Sequence, residues 1–298
     1  MKKSFKMRRI LLFFFVAVIA TACSNAPNNV NARHNCSYKQ DLKPINPNFD
    51  SGAIYLFGET HGTFEAPTFV ADFACKVAQD SGEPIIVLLE LTIPEVLSDL
   101  SAKPLSIEDT QNLILNGDSH WFDGHDGRTS AAMMDAILQI LELREQGLDI
   151  ALGSIYPSDE TQSEYEDFIS TYADEADLEN WYFKEALQIK KFKSEFKNIV
   201  TLSGKVHTRN HLRFFDKIGL NETYMGFTFV SGEGTAWNCR PNKGGCKIHQ
   251  TKTYRRDLVE TSEDGSLVKF TGKEELFEGA FIFKSSTASL PYLNGAKE

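Results

Sequence analysis

Four short apolar segments, each bounded by residues that interrupt regular structure, predict buried β-strands. They span residues 53–58, 84–91, 148–156 and 198–202. The stretches between them place apolar residues at every third or fourth position, which is typical of amphipathic helices. Strands that alternate with helices predict an α/β fold with a mostly parallel sheet and helices on both faces.

The clearest predicted helix covers residues 128–146. Met133, Ile137 and Ile140 form one apolar stripe along it, and a glycine follows at the position where helices commonly end. Three further helices are predicted over 66–79, 106–117 and 158–196.

The pattern changes after Gly219, where strand-like segments are joined by polar or glycine-rich turns. This change predicts an antiparallel C-terminal part from about residue 220, within a single domain over 51–298. The predicted strands are 223–230, 247–254 and 279–284.

The N-terminal residues predict an export signal. Five basic residues precede an uncharged run over 10–22 that ends in Ala-Thr-Ala before Cys23. This run is shorter than the roughly 20 residues of a membrane-spanning helix, so we expect removal of 1–22. Ordinary secretory cleavage and lipoprotein processing, with a lipid on Cys23, both fit the site. Residues 23–50 are rich in Asn and Pro and predict a flexible tether.

The cysteine count favours the lipoprotein hypothesis. If a lipid modifies Cys23, four cysteines remain, an even number in a compartment that permits disulfides. Cys239 and Cys246 enclose a turn-forming segment and are expected to pair, which leaves Cys36 with Cys75. Two free buried thiols are the alternative for the second pair. A zinc finger is not expected, because no second Cys or His pair stands at finger spacing.

The net charge limits the classes of partner. It is −10 for the whole chain and −15 once the five basic residues of the signal are removed. A nucleic-acid partner is therefore not expected. The expected partners are a small-molecule substrate or haem, together with a lipid anchor in the membrane. The expected location is the bacterial outer membrane, facing the periplasm or the surface, with a periplasmic or secreted protein as the alternative.

Polar side chains follow each of the four predicted parallel strands. Glu59 and His61 follow the first strand, Glu90 the second, Tyr156 the third and His207 the fourth. Because ligands of open parallel sheets bind at the carboxyl ends of the strands, these side chains predict a shared site with acid/base chemistry. The alternative for Glu90 is a simple salt bridge, and for His207 a hydrogen-bonded histidine in the loop before the next helix.

Other residues are weaker candidates for the same site. Arg128 precedes a helix and could bind a carboxylate or an oxyanion, although a solvated turn explains it equally well. Glu65 opens the first helix, where the helix dipole favours a carboxylate, and a substrate contact is the other reading. Tyr156 could donate a hydrogen bond or ligate iron. His120 and His125 could line the pocket from a loop.

Several of these segments resemble a known superfamily. They are 58–67 with its Glu-Thr-His core, the strand that ends in Glu90, 126–130 ahead of a helix, and the late Gly-Lys-Val-His of 204–207. Together they are similar to the superfamily that joins erythromycin-esterase-like proteins, ChaN-type haem-binding lipoproteins and Tiki-type proteases. The resemblance spans about residues 53–230.

The resemblance implies a different activity in each branch. In the esterase branch, a histidine matching His61 would activate water, oriented by carboxylates matching Glu59 and Glu90. The Tiki-like branch implies a divalent-metal site at the corresponding residues, and the ChaN-like branch implies a lipoprotein that holds haem for iron uptake. The macrolide esterases have one more residue where Thr60 stands and an Arg where Phe64 stands, which argues against a macrolide substrate.

The leading hypothesis is therefore an exported hydrolase of esters or amides. In it His61 is the general base, Glu59 and Glu90 orient the base, and His207 with Arg128 holds the substrate oxygen. The chain has no Gly-x-Ser-x-Gly elbow, so we expect direct attack by water.

Two other hypotheses remain open. One is a haem- or metal-binding protein with His61, His207 or Tyr156 as ligands, although no cofactor is favoured and no metal ligand is assigned. The other is a structural envelope protein.

Overall fold

A computed structural model describes the body of the chain, within one compact unit over His34–Glu298. The predicted signal segment, Cys23, most of the tether, His120, His125 and the first part of the 158–196 helix lie outside the described residues. No helix of the described part has the length and apolar character needed to cross a membrane. The described residues are 36–38, 40–42, 45–46, 52–92, 106–117, 121, 126–157, 181–240, 245–271 and 276–295.

The described part contains a seven-stranded sheet and a separate hairpin. The strands are β1 (Ile54–Glu59), β2 (Ile85–Leu89), β3 (Ile150–Ser154), β4 (Asn198–Gly204), β5 (Tyr224–Ser231), β6 (Gly234–Arg240), β7 (Gly245–Thr251), β8 (Ser266–Lys269) and β9 (Gly279–Phe283). The order in the sheet is β3-β2-β4-β1-β5-β9-β8. All neighbouring pairs are parallel except β8 with β9, and β6 pairs with β7 as an antiparallel hairpin.

The helices pack on both faces of this sheet. They are α1 (Glu65–Ser81), α2 (Ile107–Gly117), α3 (Ala131–Glu145), α4 (Trp181–Lys193), α5 (Lys205–Lys217), α6 (Arg256–Thr261) and α7 (Tyr292–Gly295). Alternate residues of β1 face opposite sides, as the pleat of a strand requires. Tyr55 and Phe57 pack with α1 and α3, whereas Ile54 and Leu56 pack with α4 and α5.

The predicted α/β fold class is confirmed. The four apolar segments are the adjacent parallel strands β1 to β4, and the 128–146 helix is α3, which begins after Ser130, whose hydroxyl accepts from the N–H of Met133. The antiparallel C-terminal part consists of the β6–β7 hairpin and the β8–β9 pair. β5, also expected to belong to it, instead continues the parallel order, and β9 pairs in parallel with β5 on one side and antiparallel with β8 on the other. β6 and β8 were not predicted, since their side chains are polar or only partly buried.

Both expected disulfides are present. Cys36 is bonded to Cys75 of α1, so the segment before β1 is tied to the first helix. Cys239 is bonded to Cys246, and these two residues face each other across the β6–β7 hairpin. The alternative of free thiols at Cys36 and Cys75 is therefore wrong.

Candidate functional site

The register of the parallel strands brings the predicted site residues to one edge of the sheet. Glu59, the last residue of β1, pairs with Gly204, the last residue of β4. On the other side of β4, the N–H of Glu90 donates to the carbonyl oxygen of Leu202 at 3.1 Å. Two buried carboxylates from β1 and β2 thus flank the end of β4.

His61 lies between these two carboxylates. Its Nδ1 is 3.0 Å from Oε1 of Glu59, and its Nε2 is 3.6 Å from Oε1 of Glu90. The side chain of His61 is 21% exposed, while those of Glu59 and Glu90 are 1% and 4% exposed. The imidazole therefore reaches the surface, and both acids that contact it are shielded from water.

Glu90 is the hub of the site. Its Oε1 lies 3.3 Å from Nη1 of Arg128, 3.4 Å from the hydroxyl of Tyr156 and 3.3 Å from Nε2 of His207. Its Oε2 accepts the backbone N–H of Gly204 at 2.6 Å. The salt bridge that sequence analysis offered as the alternative reading of Glu90 exists, but it is one of several contacts.

Arg128 is held in a network. Its Nε donates to Oδ2 of Asp126 at 2.7 Å, and its Nη1 donates to the hydroxyl of Tyr156 at 3.0 Å. Gly127, between the two charged residues, has a φ of 95°, a left-handed conformation in which L side chains are strained. The reading of Arg128 as a freely solvated residue is therefore wrong.

His207 connects this network to a second carboxylate. The structure places His207 in the first turn of α5, rather than in a loop before it. Its Nδ1 lies 2.9 Å from Oε2 of Glu185 on α4, and the same oxygen lies 2.7 Å from Nε2 of His211. Glu185 and His211 are fully buried.

A cleft of about 520 Å³ opens above this edge of the sheet. Glu59, His61 and His207 line it from the sheet edge and α5, and Asn238 and Arg240 line it from the β6–β7 hairpin. The hairpin is thus positioned to contact whatever occupies the cleft.

A neighbouring cavity of about 260 Å³ shares Thr60, Lys205 and Arg240 with the cleft. Glu65 lines this cavity but not the cleft, and its Oε1 accepts the N–H of Thr287 at 2.8 Å. The structure therefore separates Glu65 from the other predicted site residues and leaves it in the first turn of α1.

The close packing of charges shifts the pKa of His61. Burial lowers the pKa of the imidazole, but the hydrogen bonds and charges of Glu59 and Glu90 outweigh burial and raise it to about 10. Burial raises the pKa of Glu90, but the contacts with His61, His207 and Gly204 outweigh it and lower that pKa to about 2. At neutral pH the resting site therefore holds an imidazolium beside an ionised carboxylate.

Burial also shifts the pKa of two further groups at this edge of the sheet, Lys205 and Tyr156. It lowers the pKa of Lys205 to about 8, with a further contribution from the charge of Arg209. Burial and the negative charge of Glu90 raise the pKa of Tyr156, so its hydroxyl stays protonated. Tyr156 is consequently a hydrogen-bond donor here and not a phenolate.

The structure brings together six of the seven residues predicted to form the active and binding site, and it adds two. The six are Glu59, His61, Glu90, Arg128, Tyr156 and His207. Glu185 and His211 were not predicted from the sequence. The spacing of four residues between His207 and His211 was a usable signal, because it places both rings on one face of a helix.

The fold and site thus define an α/β protein with a Glu/His cleft at the carboxyl edge of a parallel sheet. No family model and no curated protein matches the sequence. A succinoglycan biosynthesis protein of known structure aligns over 84% of this chain and 92% of its own, with 9% identity and a TM-score of 0.51. This likeness concerns the fold alone.

Two further solved structures align less closely. A protein from Bacillus cereus covers 84% of this chain and 93% of its own, with 9% identity and a TM-score of 0.46. The type III effector HopBA1 covers 79% of this chain and 89% of its own, with 11% identity and a TM-score of 0.40.

Proposed function

We propose that this protein is an exported hydrolase that activates water with His61 and acts on an ester or an amide. The observation that carries the proposal is the position of the His61 ring. It contacts one buried carboxylate through each nitrogen and still reaches the cleft. An imidazole oriented by a carboxylate is a common arrangement for proton transfer in hydrolases.

The proposed reaction needs one proton acceptor and one site for a developing negative charge. Nε2 of neutral His61 removes a proton from water while the water oxygen adds to the carbonyl carbon of the substrate. The same nitrogen then returns the proton to the departing alcohol or amine as the bond to carbon breaks. Glu59 holds Nδ1 of the ring and stabilises the imidazolium that forms between these two steps.

His207 lines the cleft beside His61, and in this proposal its Nε2–H turns from Glu90 to the oxyanion as that charge develops. Arg128 is a positioning residue in this proposal: it contacts Glu90, Asp126 and Tyr156 and does not line the cleft. It thereby holds the carboxylate that faces His61. The sequence hypothesis that Arg128 itself binds the substrate oxygen is replaced by this indirect role.

Resting His61 is protonated at neutral pH because its pKa is raised to about 10. Only the neutral ring can accept a proton from water. We therefore expect the rate of hydrolysis to increase as pH rises above neutrality. The rising part of this pH–rate profile should follow the deprotonation of His61.

Two independent features support the proposed location. The basic N-terminus, the uncharged run and Cys23 support export and lipid attachment at the outer membrane. Two disulfides in the folded body support a compartment outside the reducing cytosol. The resemblance to erythromycin-esterase-like proteins supports hydrolysis, and the departures at Thr60 and Phe64 argue against macrolides.

A panel of p-nitrophenyl esters and amino-acid p-nitroanilides tests the proposal. The wild-type protein should hydrolyse at least one member, and His61→Gln should remove about 10² to 10⁴ of that rate, the usual contribution of a general base. His249→Gln is the matched control, because His249 is a buried histidine of the hairpin that lines neither cavity. Equal rates in wild type and His61→Gln, or no hydrolysis of any member, would contradict the proposal.

A further inference from the structure

Behind the cleft, three side chains converge that the hydrolytic proposal uses only through His207. An oxygen of Glu185 and one ring nitrogen each of His207 and His211 lie within 4.8 Å of one another. We infer that these three residues bind a divalent transition-metal ion, with zinc as the best-matched ion. The inference does not depend on the hydrolytic proposal.

The backbone places the three ligands on facing surfaces of two helices. His207 and His211 are four residues apart on α5, so their rings project from the same face. Glu185 projects from α4, which packs against α5 in the second core. Two histidines at this spacing on a helix, together with a glutamate from another helix, form the ligand set of many zinc sites.

The distances between Glu185 and the two histidines would allow a metal ion to replace the protons that now join them. Oε2 of Glu185 lies 2.9 Å from Nδ1 of His207 and 2.7 Å from Nε2 of His211. Ligands at about 2.0–2.2 Å from a tetrahedral ion stand roughly 3.4 Å apart. Coordination would therefore require these two pairs to open by about 0.5 and about 0.7 Å, and the two ring nitrogens, now within 4.8 Å of each other, to reach the same separation.

The burial of these three side chains favours the binding of a cation. Glu185 and His211 are both fully buried, and the side chain of His207 is 19% exposed. An ionised carboxylate without water is costly unless a positive charge or several donors compensate it. A divalent ion supplies that charge without requiring either imidazole to be protonated.

The contact that Nε2 of His207 makes with Glu90 is a second, independent observation in favour of a metal site. While Nδ1 faces Glu185, Nε2 lies 3.3 Å from Oε1 of Glu90. Ligating histidines usually donate their other ring N–H to a carboxylate or carbonyl, which orients the ring and fixes its tautomer. Glu90 occupies that position here. A metal on Nδ1 would keep the proton of His207 on Nε2, directed toward Glu90.

The metal itself is the probe for the test. The full-length protein, cleared of metal with a chelator, should bind about one equivalent of Zn²⁺ by calorimetry and develop visible d–d absorption with Co²⁺. His211→Gln should weaken Zn²⁺ binding by more than the 10- to 100-fold that loss of an outer partner typically costs. Glu185→Gln should have a similar effect.

His61→Gln is the control, because it changes the carboxylate-flanked imidazole of the rim and leaves Glu185, His207 and His211 intact. It should bind Zn²⁺ within about threefold of wild type. If His61→Gln abolishes binding while His211→Gln does not, the ion sits at the rim and the inference is wrong. No binding by the wild-type protein, with the triad held by protons alone, also overturns it.

Crystals of the wild-type protein soaked in Zn²⁺ settle the location if the variants do not fold. Anomalous scattering at the zinc edge should give a peak between α4 and α5, beside Glu185. A peak only elsewhere would overturn the inference. None of these measurements requires a substrate, so failure of the metal site and failure of the hydrolytic proposal remain distinguishable.

Discussion

The backbone N–H of Gly204 donates to Oε2 of Glu90 at 2.6 Å. This bond joins the end of β4, where α5 begins, to the residue that follows β2. A helix N-terminus presents unpaired N–H groups and a partial positive charge, so it stabilises the carboxylate in its ionised form. The ionised carboxylate of Glu90 is therefore held in place where β2 ends, with its Oε1 at 3.6 Å from Nε2 of His61.

Gly204→Ala should lower the rate of hydrolysis more than it lowers the stability of the fold. Gly204 has φ −58° and ψ 148°, which alanine also adopts, but an added methyl carbon would lie 3.0 Å from Nε2 of His61. A displacement of about 1 Å at a reacting atom can cost about 10²-fold in rate. The ring of His61 has to move by only a few tenths of an ångström, so we expect a loss of up to about tenfold in ester hydrolysis, with a melting temperature close to wild type by circular dichroism. A large fall in melting temperature with normal hydrolysis would show that the methyl group acts on folding instead.

Glu90→Gln should move the pH–rate profile. Glu90 is one of two carboxylates that raise the pKa of His61 to about 10. Its neutral amide would let that pKa fall, so the alkaline limb of the profile should shift to lower pH even if the maximal rate is reduced. The measurement is the rate of ester hydrolysis from pH 6 to pH 11.

Glu83→Gln is the matched control for that profile. Glu83 is a surface carboxylate paired with Lys197 at 2.7 Å, and it does not line the cleft. Its profile should coincide with that of wild type. A limb that stays in place in Glu90→Gln would mean that His61 is not the titrating group.

The contribution of His61 to stability should depend on pH. Because its pKa in the folded protein is about 10, above its ordinary value of 6.5, the ionised ring stabilises the fold fully below about pH 6.5. That contribution is lost as pH rises through about 10. His61→Gln should cost roughly 1.5–3 kcal/mol in urea unfolding at pH 6, the range of hydrogen bonds to charged groups. The difference from wild type should shrink steadily toward pH 10, and a constant difference would disprove the linkage.

Gly62→Ala should destabilise the protein more than Gly82→Ala. Both glycines have a positive φ, 80° at Gly62 and 62° at Gly82. An added methyl group at Gly82 meets nothing within 4 Å, whereas at Gly62 it would overlap the carbonyl group of Trp237 in β6. Gly82→Ala should thus cost only the backbone strain of about 1–2 kcal/mol. Gly62→Ala should cost more and loosen the hairpin, as thermal melts and hydrogen exchange of β6 amides would show.

The two disulfides should contribute unequally. The Cys36–Cys75 bond spans 39 residues, and the Cys239–Cys246 bond spans 7. Loop-closure entropy predicts losses of about 4 and about 2 kcal/mol when each pair is replaced by alanine. Denaturant unfolding of the two double variants checks the order. The reverse order would indicate that strain or residual structure outweighs loop length.

Local signals were sufficient for the four central strands of the sheet and for much of the cleft. The strands β1 and β2 read as apolar runs that stop at Glu59 and Glu90, because a buried strand tolerates a carboxylate only where it ends or finds partners. Because parallel strands present their carboxyl ends at one edge of a sheet, these residues were predicted to lie close together. Glu65 was a weaker candidate for the same site, and it holds the position at the start of α1 that the helix dipole favours, where it lines the neighbouring cavity.

The second carboxylate cluster could not be predicted in this way. Glu185 lies in a segment rich in charged residues, and a glutamate there is ordinarily solvent-exposed. It is buried only because α4 packs against α5 and brings His207 and His211 over it. The same holds for Arg240, which reaches the cleft because the β6–β7 hairpin folds back toward the end of β1.

By itself the sequence determined the α/β class, the four central strands, the Cys239–Cys246 pair and most residues of the sheet edge, and it left free thiols open as the alternative to the Cys36–Cys75 pair. These depend on the spacing of apolar residues, on chain breakers and on the parity of the cysteines, all of which are properties of nearby positions. Only the tertiary structure decided which nitrogen of each histidine contacts which carboxylate. It also decided that Arg128 contacts Glu90 and Asp126 instead of lining the cleft, and that Glu185 contacts His211. Those contacts arise between helices and strands distant in the chain, where packing, rather than local preference, sets distance and burial.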